Sequence, residues 1–524
     1  MRLIRPCLAV VTILVALHSG QAADSQPTRP FETDTWSTPA NEVDALVLAA
    51  LQAKGIEPAY PCSDGVFIRR VYLDVIGTLP EPADAVEFLQ DDSPDKRATL
   101  IEDLLNRDEF ADYWSLKWCD LLRVKAEFPI NLWPNAVQAY HRWIREAVKE
   151  NRPYDEFVRG LLTSNGSNFR VPPVNFYRAV QGREPAGYAA AVALTFMGTR
   201  VANWPEARRE GMATFFSRVA MKKTEEWKEE IVYLDLEATE PIEGTFPDGT
   251  TVTIGPDDDP REVFADWLIT PENPWFTRNI ANRVWTWLMG RGIVHEPDDM
   301  RDDNPPVNPE LLSYLEDELV AAEYDLKHVY RLVLNSRTYQ QSSIPRGDDP
   351  NAEAMHAHYP VRRLGAEVLV DALAWLGGTS ESYFSAIPEP FTYIPRDHRT
   401  ISLADGSITS PFLQMFGRPA RDTGLESERN NQPSDAQRLY LLNSADVQRR
   451  VMKSHRLRRI AIAARGDRNA VVQGVYMALL SREPTPKEQV AAMAYYETPD
   501  LSADDAAVDL AWSLVNTMEF LYRH

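Results

Sequence analysis

The residues best placed to do chemistry fall on one predicted helix. Trp275, Arg278, Asn282 and Trp285 recur at spacings of three and four, and Arg283 lies beside them. Two tryptophans around a guanidinium and an amide could stack on a ligand and hydrogen-bond it. Arg291, Asn304 and Arg337 come from the flanking segments and complete a candidate ligand site of Arg278, Asn282, Arg283, Trp285, Arg291, Asn304 and Arg337. The plainer reading is an inter-helix contact, because aromatic stripes usually belong to a core. Asp298, Asp299 and Asp302 could then supply internal partners for the arginines.

Other constellations are weaker. His356 and His358, with Glu353 nearby, could share a metal ion across an extended loop, but no third distant ligand is in view. Glu296, Asp298, Asp299, Asp302 and Asp303 crowd one loop; their spacing is not that of an EF-hand, and a solvated acidic turn fits better. Arg396, Arg399, Arg418, Arg421 and Arg429 could fork onto carboxylate or sulfate. Seven acids in the same loop favour internal pairing instead. There is no Gly-x-Ser-x-Gly elbow, phosphate loop, Rossmann glycine fingerprint, His-Glu-x-x-His or Cys-x-x-Cys-His.

The elements that must position these groups are mostly helices. From Arg261 to Ser343 four helix starts carry a signal: Asp259-Pro260 with Glu262, Asn273-Pro274, Asn308-Pro309 and Asp325. Gly290 and Gly292 stop the second helix. Phe276, Ile280, Val284 and Leu288 give that helix a core face. Between residues 231 and 255 the character changes. IVYLDL and TVTIG are β-branched runs, and Pro247-Asp248-Gly249 is a turn between them, which predicts a hairpin. Single helices are predicted over 205–219, 434–453 and 503–522, while 378–434 lacks sustained periodicity.

Composition adds compartment. Arg2 and Arg5, the apolar run LAVVTILVAL and the small residues around Gln21 predict a cleaved secretory signal over residues 1–22, since the run is too short for a membrane span; an uncleaved anchor is the alternative. Removal of the signal takes away two arginines and no acid, so the net charge goes from −22 to −24. Such a surface repels nucleic-acid phosphates and anionic lipid heads. No later segment is apolar enough to span a bilayer. Cys62 and Cys119 remain and could form one disulfide, too few for a disulfide framework.

The stretch FIRRVYLDVIGTLPEPADAVEFLQDDSPDKRATLIEDLLNRDEFADYWSLKWCDLLR resembles the planctomycete cytochrome-C-associated domain, a secreted domain of unknown function. Residues 261–343, then YPVRRLGAEVLVDAL, FGRPARD, ESERN and LLNS, resemble its partner, the planctomycete surface-type domain. Many relatives carry Cys-x-x-Cys-His after the segment matching Phe196-Met197-Gly198; here the chain reads TRVANWPEARREGMATFF. The two cysteines that many relatives place before the Glu-Arg matching Glu428-Arg429 are Leu425 and Ser427 here. The resemblance therefore carries no haem, metal or redox role to this chain, and the family has no established activity to transfer.

The expected fold is mainly α, with two helical domains joined by a short β-hairpin segment. The boundaries are signal peptide 1–22, linker 23–38, N-terminal helical domain 39–230, hairpin linker 231–258 and C-terminal helical domain 259–524. The expected function is a secreted or periplasmic, non-haem binding or assembly component without a cofactor, acting with other envelope proteins or polysaccharide. The alternative is an enzyme on extracellular polysaccharide that uses carboxylates and the Arg278–Trp285 face. The missing thiol pair after Gly198 predicts that protein expressed with haem-maturation machinery shows no Soret band; stoichiometric haem absorbance would contradict this.

Overall fold

Side-chain caps set many of the helix starts. In the computed structural model, which describes residues 30–235, 239–499 and 501–524, Asn308 accepts from the Leu311 amide ahead of the helix Pro309–Ala321. Asp325 does the same for the His328 amide ahead of Leu326–Leu334, and Asp259 for the Arg261 amide ahead of Pro260–Leu268. Asn273 reaches the amides of Trp275 and Phe276 as Phe276–Met289 begins. Each cap occupies amides that a first helical turn leaves without an intrahelical acceptor. Gly290 ends Phe276–Met289 at φ 77°, where a Cβ would also meet the Arg362 side chain at 2.7 Å. The signal segment and residues 23–29 of the 23–38 linker lie outside the described residues.

The chain is mainly helical, and its strands fall in three small antiparallel sheets. Glu230–Leu234 is the centre of the first, between Gly166–Ser167 and Val219–Lys223, with Met221 opposite Val232. Ile242–Thr245 pairs with Thr251–Ile254, Gly244 opposite Val252. Arg362–Arg363 pairs with Tyr522–Arg523. The hairpin expected between IVYLDL and TVTIG is therefore corrected, since each run pairs with a nearer strand. Val219–Lys223 reaches the first run across the short turn 224–229, and Ile242–Thr245 reaches the second across 246–250. Closing a short loop costs less chain entropy than closing a long one.

Three predicted helices also differ. The helix after Pro205 runs only over Glu206–Thr214, before the chain extends into Val219–Lys223. The 434–453 segment divides at Ser444, whose hydroxyl accepts from the Asp446 amide and starts a second helix, Ala445–Met452. The last segment is Ala503–Val515, then Met518–Leu521, then the strand Tyr522–Arg523.

The boundaries drawn near residues 231 and 258 do not separate two cores. One hydrophobic cluster runs from Val43 to Phe520. Trp114 packs on Tyr330 at 4.4 Å and on Trp287 at 5.5 Å, and Tyr154 stacks on Phe276 at 4.8 Å. Buried polar groups cross in the same way. Asp74 accepts from the Tyr339 and Tyr359 hydroxyls at 2.9 and 2.8 Å, and pairs with Arg523 at 2.7 Å. Arg70 lies 3.8 Å from the Tyr359 ring and donates to the Tyr339 and Gln341 carbonyls. Asp74→Ala strands Arg523 and two phenols, so it should destabilise the fold by about 3–5 kcal/mol. Urea unfolding followed by circular dichroism measures this; a change under 1 kcal/mol would refute the coupling.

Candidate functional site

The helix Phe276–Met289 spends its polar residues on separate protein partners. Asn282, wholly buried, clasps the Val294 backbone at 3.0 and 2.9 Å. Arg283 pairs with Asp298 at 2.6 Å, both 1% exposed, and also bonds Asn279 and the Leu194 carbonyl. Trp285 donates its indole N–H to Nε2 of His356 at 3.1 Å. Arg278, part-exposed, pairs with Glu316 at 2.9 Å. Asn304 donates to the carbonyls of His295 and Asp299. Arg337 donates to the Thr38 carbonyl and lies over the Trp36 ring. Arg291 has a buried Nε without an acceptor. The fold brings Asn282, Arg283 and Trp285 into its interior, whereas Arg278 and Arg337 face different neighbours. None of the seven lines the cleft described below.

His356 is buried, and that burial holds its pKa down to about 3, so the ring is neutral at neutral pH. Its Nε2 is occupied by Trp285, while His358 turns Nδ1 toward the Tyr359 carbonyl at 3.4 Å. Among the described residues no three His, Cys, Asp or Glu side chains group as metal ligands. Cys62 and Cys119 are both buried and free, so the disulfide considered above is not formed. Cys62 sits in a bridge with Glu32 near Arg97. Cys119 points inward from the helix Asp108–Leu121, where burial pushes its thiol up to about 12.

Four arginines of the segment 378–434, Arg399, Arg418, Arg421 and Arg429, face carboxylates from outside it and not the segment's own acids. Arg421, fully buried, pairs with Asp120 at 2.9 Å and donates to the Val124 and Ala404 carbonyls. Arg429 bridges Asp120 at 2.7 Å and Glu367 at 2.6 Å. Arg418 lies 3.4 Å from Glu367 and donates to the Asp405 carbonyl. Asp405 accepts from the Ala126 amide at 2.9 Å, and Lys125 reaches Asp422 at 2.5 Å. Arg399 stands 3.9 Å from Asp371. Burial raises Asp371, and the Thr400 and Ile401 amides that it accepts oppose that shift only in part.

Beside these anchors, most residues between Ser380 and Arg396, but not Phe391, line a polar cleft of about 620 Å³ together with Ile408. Tyr383 is one wall, hydrogen-bonded to the Thr400 hydroxyl at 2.7 Å. An aromatic ledge adjoins the same segment through Phe391. The half-buried Trp133 ring lies 5.4 Å from Phe391 and 6.2 Å from Trp227. Trp227 is 69% exposed and Phe391 48%. The Lys228 ammonium sits 5.0 and 5.3 Å from the Trp133 and Trp227 rings. Trp133 holds φ 73°, and Arg123 and Asn131 before it are also left-handed. Such backbone costs on the order of 1–3 kcal/mol per residue and persists only where packing enforces it. Glu127, between them, accepts from the Ser385 hydroxyl and the Ala386 amide and fastens the cleft segment. Composition alone did not single out these rings, because Trp133, Trp227 and Phe391 come from three distant segments.

The fold is thus that of a mainly helical protein with one core and a ledge-and-cleft surface. Residues 42–233 match the PSCyt2 family, proteins of unknown function (DUF1549), and residues 260–496 match the PSD1 family, proteins of unknown function (DUF1553). The chain belongs to the proteins that carry these two family units in this order. No curated protein and no solved structure matches it.

The anchor can be tested through its charge. Burial pushes Glu367 up, but Arg429 and Arg418 outweigh it and hold the carboxyl at about 2, below its ordinary 4.5. The stability from that depression is full above pH 4.5 and is lost as pH falls toward 2; its size is about 3 kcal/mol. Glu367→Gln should therefore be clearly less stable than wild type at pH 7. The gap should narrow as pH falls below 4.5, in urea unfolding run across the range. A gap that does not change with pH would refute the pairing.

Proposed function

We propose that this is a secreted, non-haem binding component of the cell envelope that holds polysaccharide on the Trp133–Trp227–Phe391 ledge and in the adjoining cleft. The observation that carries this reading is the ledge itself: two exposed rings gathered around a third whose backbone is strained into place. Sugar rings offer flat C–H faces with hydroxyls at their edges. Aromatic faces match the former, and a polar cleft with a few placed hydrogen-bonding groups matches the latter. Secretion is supported by the basic, apolar and small-residue pattern of residues 1–22.

Binding is favoured over hydrolysis by the state of the cleft's acids. Glu381 is held by Arg450 at 2.6 Å, and Glu389 is exposed. A glycosidase needs two carboxyl groups flanking one bond, one of them poised to donate a proton. The Arg278–Trp285 face fits a sugar less well than the ledge, since Trp285 is wholly buried.

Affinity electrophoresis of the mature protein against neutral and acidic polysaccharides tests this. Trp227→Ala and Phe391→Ala should each weaken binding about fivefold, on the order of 1 kcal/mol per stacked ring, with the melting temperature unchanged. Equal retardation of wild type and both variants would overturn the assignment of the ledge. Release of new reducing ends would turn the reading toward an enzyme.

A further inference from the structure

The chain's negative charge is not evenly spread. Between residues 435 and 468 there are nine basic side chains against three acidic ones, in a protein whose net charge is −22. This segment forms three short helices in succession, Asp435–Asn443, Ala445–Met452 and His455–Ala463. The second and third both pack inward on Ala366–Gly377 and Ala503–Val515. Their outer faces repeat one pattern. Leu439 and Leu442 stand beside Arg438, Met452 beside Arg449 and Lys453, and Ile462 beside Arg458 and Arg459. The four aliphatic side chains are 59%, 41%, 64% and 76% exposed.

The acids of the segment are already engaged. Asp435 pairs with Arg438, Asp446 with Arg449 and Arg450, and Asp467 caps the next helix through the Asn469 and Ala470 amides. From outside, Glu81 pairs with Arg456 at 2.6 Å and influences Arg459 at longer range. Among the described residues Lys453, Arg458 and Arg465 have no carboxylate partner. The surface therefore keeps unneutralised cations interleaved with exposed aliphatic chains.

We infer that this face docks the protein on an anionic lipid surface, with the cations on headgroup phosphates and Leu439, Leu442, Met452 and Ile462 reaching the acyl boundary. A lipid surface fits better than an acidic protein. Protein interfaces gather a contiguous apolar centre rich in aromatic residues, whereas here the aliphatic chains are set among cations and no aromatic is among the exposed groups. Interleaved cations and aliphatic chains are what peripheral attachment to a charged bilayer uses. The segment's local charge thus reverses the expectation drawn from the whole chain.

The test is cosedimentation of the mature protein with phosphatidylglycerol–phosphatidylcholine vesicles and with phosphatidylcholine vesicles alone. Binding is expected only to the former, falling at least tenfold at high salt. Ile462→Ser, and R458E combined with R459E, should each reduce it severalfold; both sites are exposed, and an unchanged thermal melt establishes that the variants are folded. No sedimentation with anionic vesicles, equal sedimentation with both vesicle types, or full binding by the folded variants would overturn the inference. So would capture by soluble polyglutamate without vesicle binding, which would assign the face to an acidic polymer. The ledge variants at Trp227 and Phe391 should bind vesicles normally, so failure of the polysaccharide reading and failure of this one are separable.

Discussion

Two carboxylates, Asp120 and Glu367, hold three buried guanidinium groups. Removing such charges from water costs several kcal/mol each, and attraction alone does not reliably recover it. What offsets part of that cost is that Arg418 also donates to the Asp405 carbonyl and Arg421 to the Val124 and Ala404 carbonyls, although Nη2 of Arg421 finds no acceptor. The arrangement is better understood as specification than as net stabilisation. It favours this placement of the segment 378–434, because moving the segment off Asp120 and Glu367 would leave buried charge without a partner.

That constraint explains how a stretch with few regular elements can wall a cleft. Regular elements position side chains through their own backbone hydrogen bonds, and this segment has few to use. It borrows rigidity from Asp120 on one helix, Glu367 on another, and Glu127 and Ala126 in the strained turn between helices. The same turn carries Trp133 at φ 73°. The ledge and the cleft are thus two results of one anchoring system. A change to the anchor should disturb both surfaces, while a change to an exposed ring should disturb only its own contacts.

The caps at Asp259, Asn273, Asn308 and Asp325 and the stop at Gly290 were legible because each depends on residues within a turn of chain. The burial of Phe276, Ile280, Val284 and Leu288 followed from period alone. Where partners are distant, legibility fails. The run at 231–235 is plainly a strand, but nothing within it says that Val219–Lys223 is its partner. Ser444 looks like any polar helix residue until its hydroxyl is seen to cap a new start. The arginines at 418, 421 and 429 were visible as a group, yet their acids lie in other helices, and the nearer acids of their own loop proved the wrong guide. The ledge is the extreme case, since its three rings come from segments that periodicity cannot relate.

The two family units meet this fold at an instructive angle. The first ends at residue 233 and the second begins at 260, which would suit two modules on a string. Charge placement opposes that picture. Asp74 and Asp120 belong to the first unit; Arg421 and Arg429 belong to the second, and Arg523 lies beyond it. Arg69 donates to the Leu479 and Phe520 carbonyls, and Arg70 to the His524 carbonyl at the very end of the chain. Each unit therefore buries ions whose partners the other unit, or the segment after it, supplies. Separated, each would present unpaired charge set in apolar surface, which is costly in water and prone to association. The contacts thus join the two units and the C-terminal segment in one packed structure, and the ledge draws Trp133 and Trp227 from the first unit and Phe391 from the second.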